Sequence, residues 1–424
     1  MRLRAVLALA ALVVLAGAPA SAQLRGHGGP VRALAIAPDG MTALTGSFDS
    51  SAIRWSLTRN AAEQVLRFHD SAVNAVAILP DGRLATAGED GRIALWSPGA
   101  DRPAMVLEGH GAPVVALAVS PDGAALASAS WDRTVRVWPV SGGVARVLEG
   151  HTQNVNGVAF TPDGRIVSAG YDATVRLWPA GEGAPATITL PTPLNSVALA
   201  RDGEIVTAGA DGKVYFLSPA GDQRGTAVAG ETPVIAVALS ADGALVAAAG
   251  IRGSVAIIDR ASREVRRNLV GPGLPVWSLA FASDSRTLFT GGTDRMVRRW
   301  NATTGEHLGA VALGPEDPLA AYAGDPGAEV FRACVACHTL SPDDGNRAGP
   351  TLHRIFGRKI ATLPGYRFSD ALTRLDIVWT PETVAKLFEI GPAAYTPGTK
   401  MPEQTIGSSE DRAALVKFLE RTTK

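Results

Sequence analysis

The 424-residue chain holds two cysteines, Cys334 and Cys337, and His338 follows the second directly. Two thiols at this spacing can form a redox dithiol, half of a zinc site, a disulfide, or the anchors of a covalent cofactor. Structural zinc wants four ligands, and only His338 and His353 stand near the pair; a histidine adjacent to the second cysteine cannot easily reach the same tetrahedral ion. A thioredoxin-like dithiol opens a helix after a βαβ pattern, which this sequence lacks. In an exported chain the pattern reads as covalent haem attachment, with two thioethers holding the porphyrin and the adjacent imidazole binding iron.

The second axial ligand follows from counting. Of the five methionines, only Met401, in YTPGTKMP, lies beyond the cysteines. Pro397, Gly398 and Pro402 make it a loop residue, where a mere core filler is less expected. A thioether opposite imidazole favours ferrous iron, raises the potential and closes the iron to outside ligands.

The start of the chain is that of an exported protein. MRLR is basic, AVLALAALVVLAG is apolar, and Ala20-Ser21-Ala22 is a small-residue cleavage site, so residues 1–22 read as a signal peptide cut after Ala22. The expected compartment is the periplasm. The apolar run is short for a membrane span, and no later segment supplies about 18 uninterrupted apolar residues. Formal charge is balanced at 40 basic and 40 acidic residues with no charged tail, which argues against a nucleic-acid partner.

The elements that must position this chemistry come in two kinds. Pro-Asp-Gly turns or their remnants place aspartates at 39, 81, 122, 163, 202, 242 and 284, seven units with one period of about 41. Each unit reads as an alternating strand, the turn, a second strand, a tight turn and a third strand. The third strand ends at Trp55, Trp96, Trp138, Trp178 and Trp300, with Leu217 and Ile258 in units five and six. One four-stranded sheet cannot bury both its faces, so seven of them are expected to close into a ring.

Residues 23–313 thus resemble a seven-bladed WD-repeat propeller. The resemblance implies a structural network in each repeat of a histidine (His27, His69, His110, His151), a turn aspartate (Asp49, Asp90, Asp132, Asp172, Asp211, Asp294) and the tryptophan. Units five and six lack both histidine and tryptophan and are expected to be less regular. The outer strand of the closing blade is expected from Gly305–Val311, because Gln23–Arg25 is short. The residues just before the turn aspartates include Phe48, Trp131 and Tyr171, which the resemblance puts on the rim of one face as candidate partner contacts.

After a Pro/Gly-rich linker at 314–324, residues 325–424 resemble class I cytochromes c, the mitochondrial and bacterial electron carriers. Gly327 and Phe331 match a first helix crossed by the last one at Phe418. The resemblance implies that Pro350, in AGPTLHRIFGRK, holds the proximal imidazole, that Arg358 and Trp379 contact the haem propionates, and that Thr399 belongs to the Met401 loop. His353 matches a family histidine that does not bind iron. Phe368, Leu372 and Leu387 replace polar residues of the mitochondrial pattern and promise a drier pocket. The lysine ring that steers mitochondrial carriers is missing.

The fold class expected is an all-β seven-bladed propeller followed by a small all-α domain. The function expected is periplasmic electron transfer through one covalent haem c, with no catalytic residues and with the propeller docking a protein redox partner. The rival reading is a redox enzyme in which the haem domain feeds a cofactor or substrate site in the propeller.

Overall fold

A computed structural model describes residues 23–424 except 271–273, 309–318, 333, 336–337, 342–348, 365, 367, 369, 398, 400 and 402–404. The expected signal segment 1–22, Cys337 and part of the expected linker lie outside the described residues.

From Leu24 to Asn301 the described chain forms seven four-stranded antiparallel sheets. In blade 1 the strands Val31–Ile36, Thr42–Ser47, Ser51–Ser56 and Ala61–Arg67 pair in sequence order. Second strands such as Ile166–Gly170, Ile205–Gly209 and Leu245–Gly250 are buried at every position, since neighbouring blades cover both of their faces. Their small and β-branched side chains let the sheets approach closely. Each first turn needs a left-handed residue, which explains the repeated glycine: Gly40, Gly82, Gly123, Gly164, Gly203 and Gly243 all have positive φ. In the seventh unit Ser285 adopts the same conformation at φ 58°.

Blades 1 to 4 contain the expected network with one further member. In blade 1 the His27 Nδ1–H lies 3.0 Å from Asp49, while Nε2 and the Trp55 indole both meet the Thr45 hydroxyl, at 2.7 and 2.8 Å. Thr86, Ser128 and Ser168 repeat this role in the next three blades. Burial alone would raise the Asp49 pKa. The His27 charge and hydrogen bond, with Ser51 and the Gly28 N–H, outweigh it and hold the carboxyl at about 2.

Two expectations are corrected. Blades five and six are complete four-stranded sheets, Leu194–Val228 and Val234–Val270, rather than irregular ones. In blade five the Tyr215 hydroxyl donates to Asp211 at 2.7 Å and replaces the missing histidine. The strand Leu24–Arg25, short as it is, supplies the closing pairing, with Leu24 opposite Val297 and Arg25 opposite Met296. The C-terminal side adds a bridge from His307 to Trp300 and the Leu308 N–H to Arg299 bond at 2.9 Å. Leu24 is buried and Arg25 partly so, and both ends of the propeller thus contribute to closure, with 309–311 outside the described residues.

The C-terminal segment carries helices α1 (Pro326–Phe331), α2 (Asp370–Thr373), α3 (Pro381–Ile390), α4 (Pro392–Tyr395) and α5 (Ser409–Thr422), separated by extended irregular stretches. Asp325 caps α1 by accepting from the Gly327 and Ala328 N–H groups, and Thr380 and Thr383 form a capping box on α3. Helices α1 and α5 cross in close contact: a Cβ on Gly327 would stand 2.2 Å from the Ala414 carbonyl oxygen. Phe331 and Tyr322 flank Phe418 at 5.6 and 5.2 Å between ring centroids.

Candidate functional site

Beyond α1 the Cys334 N–H donates to the Phe331 carbonyl (2.7 Å) and the His338 N–H to that of Cys334 (2.9 Å). Cys334 and His338 line one cavity. The walls of that cavity are mostly apolar: Phe331, Leu352, Ile355, Ile360, Phe368, Leu387 and Phe388 among others. Burial pushes the Cys334 thiol up to about 12, the opposite of a reactive thiolate.

The His338 Nδ1–H donates to the Pro350 carbonyl at 2.8 Å. This fixes the tautomer and leaves the lone pair on Nε2, as for a metal-binding imidazole with an oriented ring. Gly349 packs flat on the same ring, since a Cβ there would lie 2.4 Å from it. Met401 reaches the cavity from the loop after α4, shaped by Thr399 N–H to Thr396 (3.0 Å) and by the Met401 N–H on the Thr399 hydroxyl (3.1 Å).

One wall is a short antiparallel pairing: Trp379 N–H to Arg358 carbonyl, 3.0 Å, and Gly357 N–H to Trp379 carbonyl, 2.8 Å. Both side chains line the cavity. The half-buried Arg358 guanidinium donates to the carbonyls of Thr351 (3.0 Å) and His353 (3.1 Å), and no carboxylate pairs with it among the described residues. Burial lowers its pKa. A cation held by carbonyl dipoles at the edge of an apolar cavity suits an anionic group there. The His353 ring is not among the cavity walls.

The structure therefore gathers Cys334, His338, Pro350, Arg358, Trp379, Thr399 and Met401 around one space, with Cys337 outside the described residues. A porphyrin fits this donor set: imidazole and thioether for iron, apolar walls for the ring and a guanidinium for its acid groups.

Over 99 residues, 23% of this chain, the sequence is 41% identical to cytochrome c of Cochliobolus lunatus, covering 91% of that protein. Through this segment the chain belongs to the cytochrome c family. It is also 41% identical over 99 residues to cytochrome c of Arabidopsis thaliana, covering 88% of it, and 37% identical over 99 residues to cytochrome c2 of Rhodomicrobium vannielii, covering 78%. Upstream of the cytochrome c segment, the model of the WD domain, G-beta repeat, matches residues 20–56, 61–97, 101–139, 142–179 and 263–301. Those matches fall on blades one to four and seven, which are the blades that end in tryptophan.

The rim aromatics are not among the cavity walls, although Phe48 directly precedes the wall residue Asp49. Phe48, Trp131 and Tyr171 are 46%, 43% and 46% exposed. Phe48 packs 6.2 Å from the ring of Trp277, and the Trp131 indole donates to Asn156 at 3.0 Å. Sequence reasoning missed Trp277, whose ring the Arg32 guanidinium approaches to 5.3 Å. It also missed the Thr/Ser hydroxyls of the blade networks, which look like ordinary strand residues. Blade 1 contributes Asp49, Ser51 and Arg67 to the cavity wall, which no local motif signals.

Proposed function

We propose that this chain is a periplasmic electron-transfer protein carrying one haem c, exported by the segment 1–22 and cleaved after Ala22. Residues 23–313 form the propeller, 314–324 the linker and 325–424 a class I cytochrome c domain. Cys334 and Cys337 hold the porphyrin as thioethers, His338 and Met401 bind iron, and Pro350 orients the imidazole. Arg358 and Trp379 hold the propionates, while Thr399 shapes the methionine loop. The bound group supplies a one-electron couple; the chain supplies a dry cavity, fixed axial donors and a compensating cation. The propeller docks a protein redox partner, with Phe48, Trp131 and Tyr171 as its anchors.

The observation that carries the reading is the His338–Pro350 hydrogen bond inside an apolar cavity shared by Cys334 and Met401. Its test is the visible spectrum of protein made with c-type haem maturation, before and after carbon monoxide, nitrite and peroxide. One low-spin haem indifferent to all three supports the carrier. Turnover or a second chromophore points to the enzyme instead.

A further inference from the structure

The cytochrome c cavity is not walled by its own segment alone. Arg67, the last residue of the outer strand of blade 1, donates to the Tyr366 hydroxyl at 2.5 Å, and its guanidinium lies 5.5 Å from the centre of the Tyr366 ring. Both side chains are half-buried. The Tyr366 ring in turn meets Phe368 edge-on at 4.7 Å, and Tyr366 and Phe368 both face the cavity. Cation, phenol and phenyl form one continuous stack from propeller to cavity.

The propeller end of this stack is rigid. Arg67 is paired across the sheet with Ser51, whose hydroxyl bonds Asp49 at 2.6 Å, and Asp49 holds His27. The blade's own structural network therefore anchors the strand end that carries the cation. Among the described residues no carboxylate forms an ion pair with Arg67, and Asp49, which lines the same cavity, is engaged by His27 and Ser51 instead.

We infer that blade 1 is part of the cofactor crevice and that Arg67 is a positioning residue of that site, holding Tyr366 and through it the Phe368 wall. The inference rests on the haem reading above and adds a partner to it: the propeller itself. Two effects of Arg67 act in one direction. Its cation disfavours the extra positive charge of ferric iron, and the closed wall keeps out the water that would solvate that charge. Both raise the reduction potential of the docked chain.

The test uses the full-length holoprotein and the variants Arg67→Ala, Arg67→Lys and Tyr366→Ala, read by midpoint potential and by amide hydrogen exchange. Arg67→Ala lowers the potential and speeds exchange at Tyr366 roughly tenfold, the scale of one charge-assisted hydrogen bond, while the Thr42–Ser47 amides of blade 1 stay protected. Arg67→Lys recovers the potential more than the exchange, since it restores charge but not the planar contact. Tyr366→Ala reproduces the Arg67→Ala exchange pattern in the wall from the other side of the contact, should the first variant fold poorly. Unchanged potential and exchange in Arg67→Ala overturn the inference. A chain that takes up no haem overturns the haem reading instead, and exchange still decides whether Arg67 holds Tyr366.

Discussion

The imidazole Nδ1 of His338 and the carbonyl oxygen of Pro350 stand 2.8 Å apart, and Gly349, between them in sequence, lies flat on the ring they fix. The orientation of the proposed iron ligand is thus set by two consecutive residues, one by a hydrogen bond and one by having no side chain.

Gly349→Ala places a methyl 2.4 Å from the imidazole. The ring must turn and the Pro350 bond lengthen. The expected result is a lower yield of holoprotein and a loss of about 1–3 kcal/mol in the stability of what forms, the usual cost of overpacking. Denaturant unfolding followed at the haem absorbance reads both. Wild-type yield and midpoint would show that the close approach is unimportant.

Met401→Ala removes the thioether while sparing the His338 side of the cavity. The reduced variant is expected to bind carbon monoxide where the parent does not, and its potential is expected to fall. Carbon monoxide difference spectra measure the first directly; a variant still closed to carbon monoxide assigns the sixth position to another residue.

The Asp49 carboxyl sits at about 2 in the fold against an ordinary 3.8. Its folded value lies below its unfolded one, so the stabilisation is complete above pH 4 and is lost as pH falls through 2. It amounts to about 2 kcal/mol. Asp90, Asp132 and Asp172 shift in the same direction. Propeller stability measured by urea unfolding between pH 5 and 2 is expected to decline over that window, and Asp49→Asn is expected to lower the pH 7 value and flatten the slope. An unaltered slope would count against the network.

Trp131→Ala and Tyr171→Ala remove rings from the exposed rim without opening the blade cores. Electron exchange with the native partner is expected to weaken by about 2 kcal/mol for each anchor that is buried on docking, with the thermal midpoint unchanged. Stopped-flow reduction over a range of partner concentrations separates lost affinity from lost rate. Unchanged kinetics in both variants would move the docking site elsewhere.

Local chemistry was legible in the sequence wherever it repeats or is rare. Seven turn glycines or their substitute, five terminal tryptophans and a single Cys-x-x-Cys-His are such signals. The hydroxyls of Thr45, Thr86, Ser128 and Ser168 were not, because threonine and serine are unremarkable in strands and only the fold puts them between imidazole and indole. Tyr215 escaped for a related reason: a phenol can serve Asp211 from a position where the histidine pattern has nothing to match. Arg67 and Tyr366 are 299 residues apart, and nothing in either neighbourhood names the other. The part of Leu24–Arg25 in ring closure was hidden by its length; the buried Leu24 and the partly buried Arg25 share the strand with His307 and Leu308.

The closing blade also bears on how force and damage travel through the molecule. Its third strand, Met296–Asn301, is paired at one end with Leu24–Arg25 and at the other with His307 and Leu308, on the side from which the chain leads on toward α1. Clasp and tether share one strand. A pull on the C-terminal segment loads this strand as well as the Arg67–Tyr366 contact, so a break at the strand unfastens the wheel and slackens its cargo together.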